Sequence, residues 1–336
     1  MKIAIVGAGA IGGLLAARFA LAGETVTVVD VGAHLKAIRE RGLLLTHADG
    51  REERAKGIRG VASCLEAGPQ DLVFLSVKAY QIEAVAPQLG AMFHDETALV
   101  TTQNGLPWWY FQIFSGPHAG YRIKTEDPNG VIERNIDARR IVGCVVYPAG
   151  ELVEPGHIKH LEGDRFPIGE LDGSESARAK RISEALVRAG FKAPVIPDIR
   201  SEIWLKLWGN MSLNPISALT HATLVDICKE PTTRALAVAM MEEAQAIAGK
   251  LGVTFRVSID KRIAGAEKVG KHKTSTLQDV EAGRAVEVDA LIGSVLELGE
   301  LTATPTPSTY AVYSLLKLLV QTMHDEHARV VLEDAA

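Results

Sequence analysis

The chain begins with KIAIVGAGAIGG over residues 2–13, and this stretch decides how the first half of the chain folds. Residues 3–6 are an apolar run of strand length, and helix-forming residues follow the glycines. Gly7, Gly9 and Gly12 have the spacing G-x-G-x-x-G, which matters when a strand precedes it and a helix follows. A strand, a tight turn and a helix in this order are typical of a dinucleotide-binding α/β unit.

Each glycine of this turn has a mechanical role. Gly7 permits the sharp turn, Gly9 lets the backbone approach a pyrophosphate, and Gly12 allows the helix to pack closely on the strand. The start of the helix adds free N–H groups and the positive end of the helix dipole. The residues predicted to bind the cofactor phosphates are Gly7, Ala8, Gly9, Ala10, Ile11 and Gly12.

The second predicted strand, residues 25–29, ends at Asp30. An acidic residue about 20 positions after the glycines usually binds the ribose hydroxyls. Val31 follows, where an arginine would grip the 2′-phosphate of NADP. The pair therefore predicts NAD over NADP, although Lys36 and Arg39 on the next predicted helix could reach back to a phosphate.

Composition excludes several classes of function. The 336 residues carry a net charge of −5, so the chain lacks the basic footprint of a nucleic-acid-binding protein. Its apolar runs are interrupted before they reach membrane-spanning length. Cys64, Cys144 and Cys228 are widely spaced and odd in number, which is typical of reduced, cytoplasmic proteins. His157 and His160 form an H-x-x-H pair without further ligands nearby, so we expect no metal site.

Two continuous apolar runs, residues 71–77 and 97–102, have the character of buried parallel strands. Strands that alternate with helices predict a doubly wound sheet, in which ligands bind beyond the carboxyl ends of the strands. Lys78 and Asn104 stand just past these two runs and are candidates for ligand contact. The alternatives are a solvated loop lysine and a turn-forming asparagine.

Residues 106–140 lack a clear period and predict a long excursion carried by the sheet. Four aromatic residues, 108–111, lie near its start, and a local core that anchors the excursion is favoured over direct contact with substrate. Farther on, residues 158–161 and 166–170 predict a hairpin. Proline and aspartate then break the pattern, so we place a domain boundary after residue 198.

Beyond this boundary the pattern changes to long helical runs, among them 199–213, 224–251 and 285–300. The sequence thus predicts an α/β protein with two domains. A Rossmann dinucleotide-binding domain covers residues 1–198, and an all-helical domain covers residues 199–336.

The first of these helices carries a polar face. Lys206, Asn210 and Asn214 are spaced i, i+4 and i+8, so they line one side of a largely apolar helix. A lysine in apolar surroundings costs free energy unless it is paired or functional. The alternative is a lysine that snorkels to solvent, with asparagines that cap a kink at Pro215.

A second polar group lies farther along the chain. Ser275 precedes a short predicted helix and is either a ligand contact or a helix cap. Glu287 lies on the predicted helix 285–300. In the structural alternative, Arg284 is its ion-pair partner three residues earlier.

Taken together, these motifs resemble the ketopantoate reductase family of the 6-phosphogluconate dehydrogenase-like superfamily. They run in the family's order over nearly the whole chain. The matching motifs are G-A-G-A-I-G at 7–12, S-V-K-A at 76–79, Q-N-G at 103–105, W-x-K-L-x-x-N-x-x-x-N-P at 204–215, and S-x-L-Q-D with R-x-x-E within 275–287.

The resemblance implies NAD(P)H-dependent reduction of the C2 ketone of 2-dehydropantoate, a 2-oxo acid of pantothenate biosynthesis. It places Lys206 on the catalytic lysine, where a desolvated amine suits general acid work, and Glu287 on an essential carboxylate. Lys78 falls on a position near the cofactor and substrate. The substrate-binding positions that it implies are Asn104, Asn210, Asn214 and Ser275, of which Asn104 also lies near the cofactor.

Two alternatives stay open. One is a reductase or dehydrogenase of other branched or aromatic 2-oxo acids on the same scaffold, because 3-hydroxyacid dehydrogenases of the superfamily also use a K-x-x-x-N helix. The other is a non-catalytic dinucleotide-binding sensor, against which the presence of both Lys206 and Glu287 argues. The sequence also leaves a homodimer open.

Overall fold

The computed structural model describes residues 1–332. The opening apolar run forms β1, the glycines form the turn, and α1 starts at Ala10. The strands are β1 (Lys2–Val6), β2 (Thr25–Val29), β3 (Leu43–Thr46), β4 (Glu52–Ala55), β5 (Arg59–Val61), β6 (Leu72–Leu75), β7 (Ala98–Thr101), β8 (Ile141–Cys144), β9 (Ala149–Glu154), β10 (His157–Glu162) and β11 (Ile168–Glu170).

Six helices accompany these strands, and seven follow them within the described residues. The first six are α1 (Ala10–Leu21), α2 (Gly32–Arg41), α3 (Cys64–Ala67), α4 (Ile82–Leu89), α5 (Val131–Asn135) and α6 (Ala177–Arg188). The others are α7 (Ile199–Thr220), α8 (Leu224–Lys229), α9 (Pro231–Lys250), α10 (Ile259–Val269), α11 (Ser275–Glu281), α12 (Ser294–Leu301) and α13 (Pro307–Asp325).

The main sheet has seven strands in the order β11-β8-β7-β6-β1-β2-β5. Its strands are parallel except for the edge pair β11 and β8. The chain order reverses between β1 and β6, so the carboxyl ends of these two strands form the crevice where doubly wound sheets bind ligands. The predicted α/β class with a helical C-terminal region is confirmed.

The core of this unit follows from the continuous apolar runs. Residues 3–5 of β1 and 72–75 of β6 are fully buried, since parallel strands are covered on both faces. Burial of large side chains such as Phe19 and Phe74, whose rings pack 5.4 Å apart, contributes roughly 1.5–3 kcal/mol each to folding. This rigid sheet fixes the position of the loops at its carboxyl edge.

A smaller sheet has the order β4-β3-β10-β9. Its strand β10 pairs antiparallel with β9 and parallel with β3, while β11 joins the main sheet beside β8. The predicted hairpin of residues 158–161 with 166–170 is therefore wrong. The two segments are neighbours in sequence, but each has its partners elsewhere in the fold.

Contacts divide the described chain into two compact units. The first contains residues 1–103, 111–122 and 129–199, and the second contains 104–110, 123–128 and 200–332. Two pieces of the predicted excursion thus belong to the helical unit, whereas α5 in the same stretch belongs to the sheet unit. The domain boundary after residue 198 remains a prediction. The helical unit also contains residues 104–110 and 123–128, which lie before that boundary.

Three helices differ from prediction, and the one predicted over 199–213 continues to Thr220. The single helix predicted over 224–251 is divided, because α8 ends at Lys229 and Pro231 opens α9 at its first turn, where a missing N–H costs nothing. The helix predicted over 285–300 starts later, since residues 284–287 have no regular structure and the helical stretch begins at Val288. None of the helices within residues 1–332 has both the length and the apolar character needed to cross a bilayer.

The aromatic residues 108–111 are buried, as a local core requires. Tyr110, fully buried, accepts a hydrogen bond at its hydroxyl from Trp204 Nε1 at 2.8 Å, and its carbonyl accepts one from Arg200 Nε at 2.9 Å. Both partners lie on α7. This core therefore fixes the start of the excursion to the helix that carries Lys206.

We expect Tyr110→Phe to lower the free energy of unfolding by about 1–3 kcal/mol, because it leaves the buried Trp204 N–H without an acceptor. Denaturant unfolding measures this loss. Tyr310→Phe is the matched control, since the Tyr310 side chain is exposed on α13. Equal stability of both variants would show that the bond contributes nothing.

Candidate active site

The nucleotide turn of the sheet unit has the geometry that its glycines require. Gly7 has φ of +88°, a conformation that side chains rarely adopt. A Cβ on Gly12 would lie 1.9 Å from the Gly7 carbonyl oxygen, whereas a Cβ on Gly9 would meet nothing within 4 Å. The backbone at Gly9 is therefore open to a ligand, and α1 begins directly after it at Ala10, followed by Ile11. The turn fits a dinucleotide pyrophosphate.

The Asp30 carboxylate lies against this turn. One oxygen accepts the Ala8 N–H and the other accepts the Val31 N–H, each at 2.7 Å. The Ala8 N–H is therefore used within the protein, so the phosphates are left to the other predicted positions of the turn. Each carboxylate oxygen retains a lone pair that a ribose hydroxyl can use.

His34 is a partner of the turn that the sequence did not indicate. Its Nδ1 accepts the Gly156 N–H at 3.0 Å, so Nε2 carries the proton and donates to the Ala8 carbonyl at 2.8 Å. The Ala8 peptide is thus held at both ends, by Asp30 and by His34. An isolated histidine on an otherwise ordinary helix gives no signal of this contact.

The basic residues of α2 have partners of their own. Arg39 donates from Nε to the Gly60 carbonyl at 3.0 Å and lies 3.8 Å from Glu66. Lys36 Nζ lies 4.0 Å from Oε1 of Glu40, which is one helical turn farther along α2. These contacts compete with any reach toward a 2′-phosphate. Lys78 follows β6, and its N–H donates to Gln81 Oε1 at 3.0 Å.

The helical unit brings two pairs of predicted residues together. Lys206 Nζ donates to Asn104 Oδ1 at 2.5 Å, although 102 positions separate them. Asn214 Nδ2 lies 3.4 Å from Ser275 Oγ. Asn210, partly buried, stands on α7 between Lys206 and Asn214.

Ser275 does not cap α11, although its place before a predicted helix allowed that role. The cap of α11 is Thr274, whose hydroxyl accepts the Leu277 N–H at 3.2 Å. Ser275 is instead the first residue of the helix, and its hydroxyl faces Asn214.

Glu287 lies before a helix and not on one, which corrects the prediction. Its carbonyl accepts the Leu291 N–H at 3.1 Å, and a π-helical turn, Asp289–Gly293, follows and continues into α12. Such π-helical turns are rare in proteins overall, but those that do occur are often found at functional sites. The proposed ion pair with Arg284 is also wrong, because Arg284 Nε donates to Asp279 Oδ1 at 2.7 Å.

The Asn104-Gly105 turn packs against the same π-helical turn. Leu106 N–H donates to the Ala290 carbonyl at 3.3 Å, and a Cβ on Gly105 would lie 2.2 Å from that oxygen. Asn104, the hydrogen-bond partner of Lys206, is therefore held in place by the segment that begins at Glu287. Within residues 1–332, no three His, Cys, Asp or Glu side chains are grouped as a metal ion would need.

Comparison with known proteins agrees with this geometry. Residues 3–108 match the family model described as "Ketopantoate reductase PanE/ApbA", and residues 198–320 match the model of its C-terminal region. A 2-dehydropantoate 2-reductase of Mesorhizobium japonicum is 51% identical over 95% of this chain and 98% of its own. One of Archaeoglobus fulgidus is 27% identical over 89% of this chain and 91% of its own.

Solved structures agree as well. A Ralstonia solanacearum protein assigned as a ketopantoate reductase is 40% identical, with a TM-score of 0.92 over 96% of this chain and 98% of its own. A glycine turn on a parallel sheet, followed by a helical unit that carries a partly buried lysine, is the arrangement of an NAD(P)-dependent oxidoreductase that acts on CH–OH groups. The chain belongs to the ketopantoate reductase family.

Proposed function

We propose that this protein is a 2-dehydropantoate 2-reductase, which reduces the C2 ketone of ketopantoate to pantoate and serves pantothenate biosynthesis. The observation that carries the proposal is the contact between Lys206 Nζ and Asn104 Oδ1, which holds an ammonium group in a fixed direction on α7. The relative that is 51% identical over nearly the whole chain supports the same reaction.

Lys206 stabilises the negative charge that develops on the ketone oxygen and donates the proton to it. A cation aimed at this oxygen binds the transition state more tightly than the neutral ketone, which lowers the barrier. Bound NADH or NADPH supplies the hydride. Asn104 keeps the ammonium in place, because a hydrogen bond to its amide oxygen restricts the flexible lysine side chain.

The other polar residues bind the substrate. Asn210 and Asn214 present amide groups from successive turns of the helix that carries Lys206. Ser275 adds a hydroxyl beside Asn214, and these donors suit a carboxylate. Glu287 accepts a hydrogen bond from the substrate hydroxyl.

For the cofactor, we propose NAD with Asp30 on its ribose. Asp30 stands against the glycine turn, and Val31, 70% exposed, offers no donor to a 2′-phosphate. Arg39 already has Gly60 and Glu66 as partners. We also propose a cytoplasmic protein, in keeping with three buried cysteines that form no disulfide within the described residues, and a homodimer.

The test is loss of nicotinamide absorbance with a panel of 2-oxo acids. Ketopantoate should give the highest kcat/KM, ahead of 3-methyl-2-oxobutanoate and phenylglyoxylate, with NADH and NADPH each measured. A higher kcat/KM for phenylglyoxylate would support an aromatic 2-oxo acid reductase instead. Nicotinamide binding without turnover of any 2-oxo acid would favour a sensor.

A further inference from the structure

A carboxyl group that the proposed reaction has not yet used lies in a segment that packs on the helical stretch after Glu287. Glu126 Oε1 is buried and has no hydrogen-bond partner. Leaving a buried polar atom unpaired is costly, so native structures seldom tolerate it without a reason. Glu126 belongs to segment 123–128, which groups with the helical unit.

This segment is fixed in place by α12. The Glu297 carboxylate accepts the N–H groups of Lys124 and Thr125, each at 2.7 Å, and the Thr125 hydroxyl at 2.5 Å. A Cβ on Gly293 would lie 3.1 Å from Thr125 Cγ2, so the segment packs closely on the π-helical turn. Glu126 is therefore held against the helical stretch that Glu287 opens.

The groups that act electrostatically on Glu126 are the carboxylates of Glu287, Asp289 and Glu297, of which Glu287 has the largest effect. Asp289 is bonded to the Tyr313 hydroxyl and to Lys317, and Glu297 holds the backbone of segment 123–128. Burial first, and then the Glu287 charge, raise the pKa of Glu126 to about 8. At neutral pH Glu126 therefore carries a proton.

We propose that Glu126 is a specificity-determining residue that recognises the hydroxyl group of the substrate together with Glu287. The inference rests on the proposed function and deepens it. A hydroxyl group is both a donor and an acceptor, and it needs one partner of each kind. Glu287 accepts a hydrogen bond from the substrate hydroxyl, and the protonated Glu126 carboxyl donates one to the hydroxyl oxygen. One carboxyl group that donates and one that accepts thus match a hydroxylated 2-oxo acid.

The pair also discriminates against substrates without the hydroxyl. An analogue that places a methyl group there leaves the buried Glu126 oxygen unpaired, and a buried polar group left without its partner is a strong source of such discrimination. Above pH 8, Glu126 ionises and can no longer donate. The preference for the hydroxylated substrate should therefore decline as the pH rises through this range.

The experiment compares kcat/KM for ketopantoate with that for 3,3-dimethyl-2-oxobutanoate, which lacks only the hydroxyl, between pH 6.5 and 9.5. The wild-type preference for ketopantoate should fall about 10-fold over this range. In Glu126→Leu it should be about 10-fold lower already at pH 6.5, with little change for the analogue. Glu126→Gln, which still donates an N–H but cannot ionise, should keep the preference at every pH. Glu300→Gln on an exposed side chain is the matched control.

Infrared difference spectra between pH 6.5 and 9.5 give a readout that needs no turnover. Wild type should lose the C=O band of a protonated carboxyl, and Glu126→Gln should lack that change. Equal losses for both substrates in Glu126→Leu, a pH-independent wild-type preference, or the same loss of the C=O band in Glu126→Gln as in wild type would each overturn the role of Glu126. A wild-type enzyme that reduces neither substrate would instead refute the proposed function on which the inference rests.

Discussion

Lys206→Ala is expected to lower kcat for ketopantoate by a factor of at least about 100, the lower end for loss of a general acid. The variant loses the group that we propose as both the proton donor and the cation facing the developing oxyanion, so the true factor should exceed this bound. Steady-state turnover with saturating cofactor measures the effect. Affinity for the cofactor, followed by nicotinamide fluorescence, should stay within a few-fold of wild type, because the predicted phosphate contacts lie on the glycine turn.

Two further variants sharpen this prediction. Lys261→Ala removes an exposed lysine from the same unit and should leave turnover unchanged. Asn104→Ala leaves the ammonium present but without its 2.5 Å partner, so it should show a smaller loss in kcat than Lys206→Ala. Turnover of Lys206→Ala within a few-fold of wild type would remove Lys206 from the mechanism.

The double variant Asp30→Asn, Val31→Arg is expected to shift the ratio of kcat/KM for NADPH over NADH by about 100-fold toward NADPH. Wild type should use NADH at least as well as NADPH, because the Asp30 carboxylate repels a 2′-phosphate in a partly desolvated groove. Asparagine keeps an oxygen for the Ala8 N–H, so the turn survives while the charge is removed. Arginine at position 31 adds a fork of donors that matches a phosphate.

The single variants separate the two contributions. Asp30→Asn should relieve the repulsion alone, and Val31→Arg should add attraction against a remaining carboxylate, so each should give only part of the shift. A wild-type preference of tenfold or more for NADPH would contradict the assignment. It would mean that Lys36 or Arg39 leaves its present partner to bind the phosphate.

Features built from neighbouring residues could be predicted from the sequence. The strand, turn and helix at residues 2–21 follow from local apolar pattern and glycine spacing, and the polar face of α7 follows from a spacing of four residues. The hairpin predicted for residues 158–161 and 166–170 is wrong because β10 pairs with β3, which lies more than a hundred residues earlier in the chain. The local sequence pattern of a strand does not indicate a pairing partner so far away in the chain.

The site shows the same limit. Helical periodicity in residues 285–300 suggested a helix around Glu287, but Gly283, with φ of +66°, ends α11 and turns the chain away from helical geometry before Val288. Asn104 was predicted from its place after a strand, yet its bond with Lys206 joins positions that only the fold brings together. Glu126 gave no signal at all, because a buried carboxyl in an irregular segment looks like any loop glutamate.

The doubly held Ala8 peptide has a consequence for how nucleotide is captured. Its N–H and carbonyl are bonded to Asp30 and His34, which belong to the fold itself, so the glycine turn keeps its shape whether or not a ligand is present. The conformational entropy of ordering a flexible loop is then lost during folding and not again at each binding event. An enzyme that exchanges oxidised for reduced cofactor in every cycle thereby avoids repeated loop closure, and the turn behaves as a preorganised receptor.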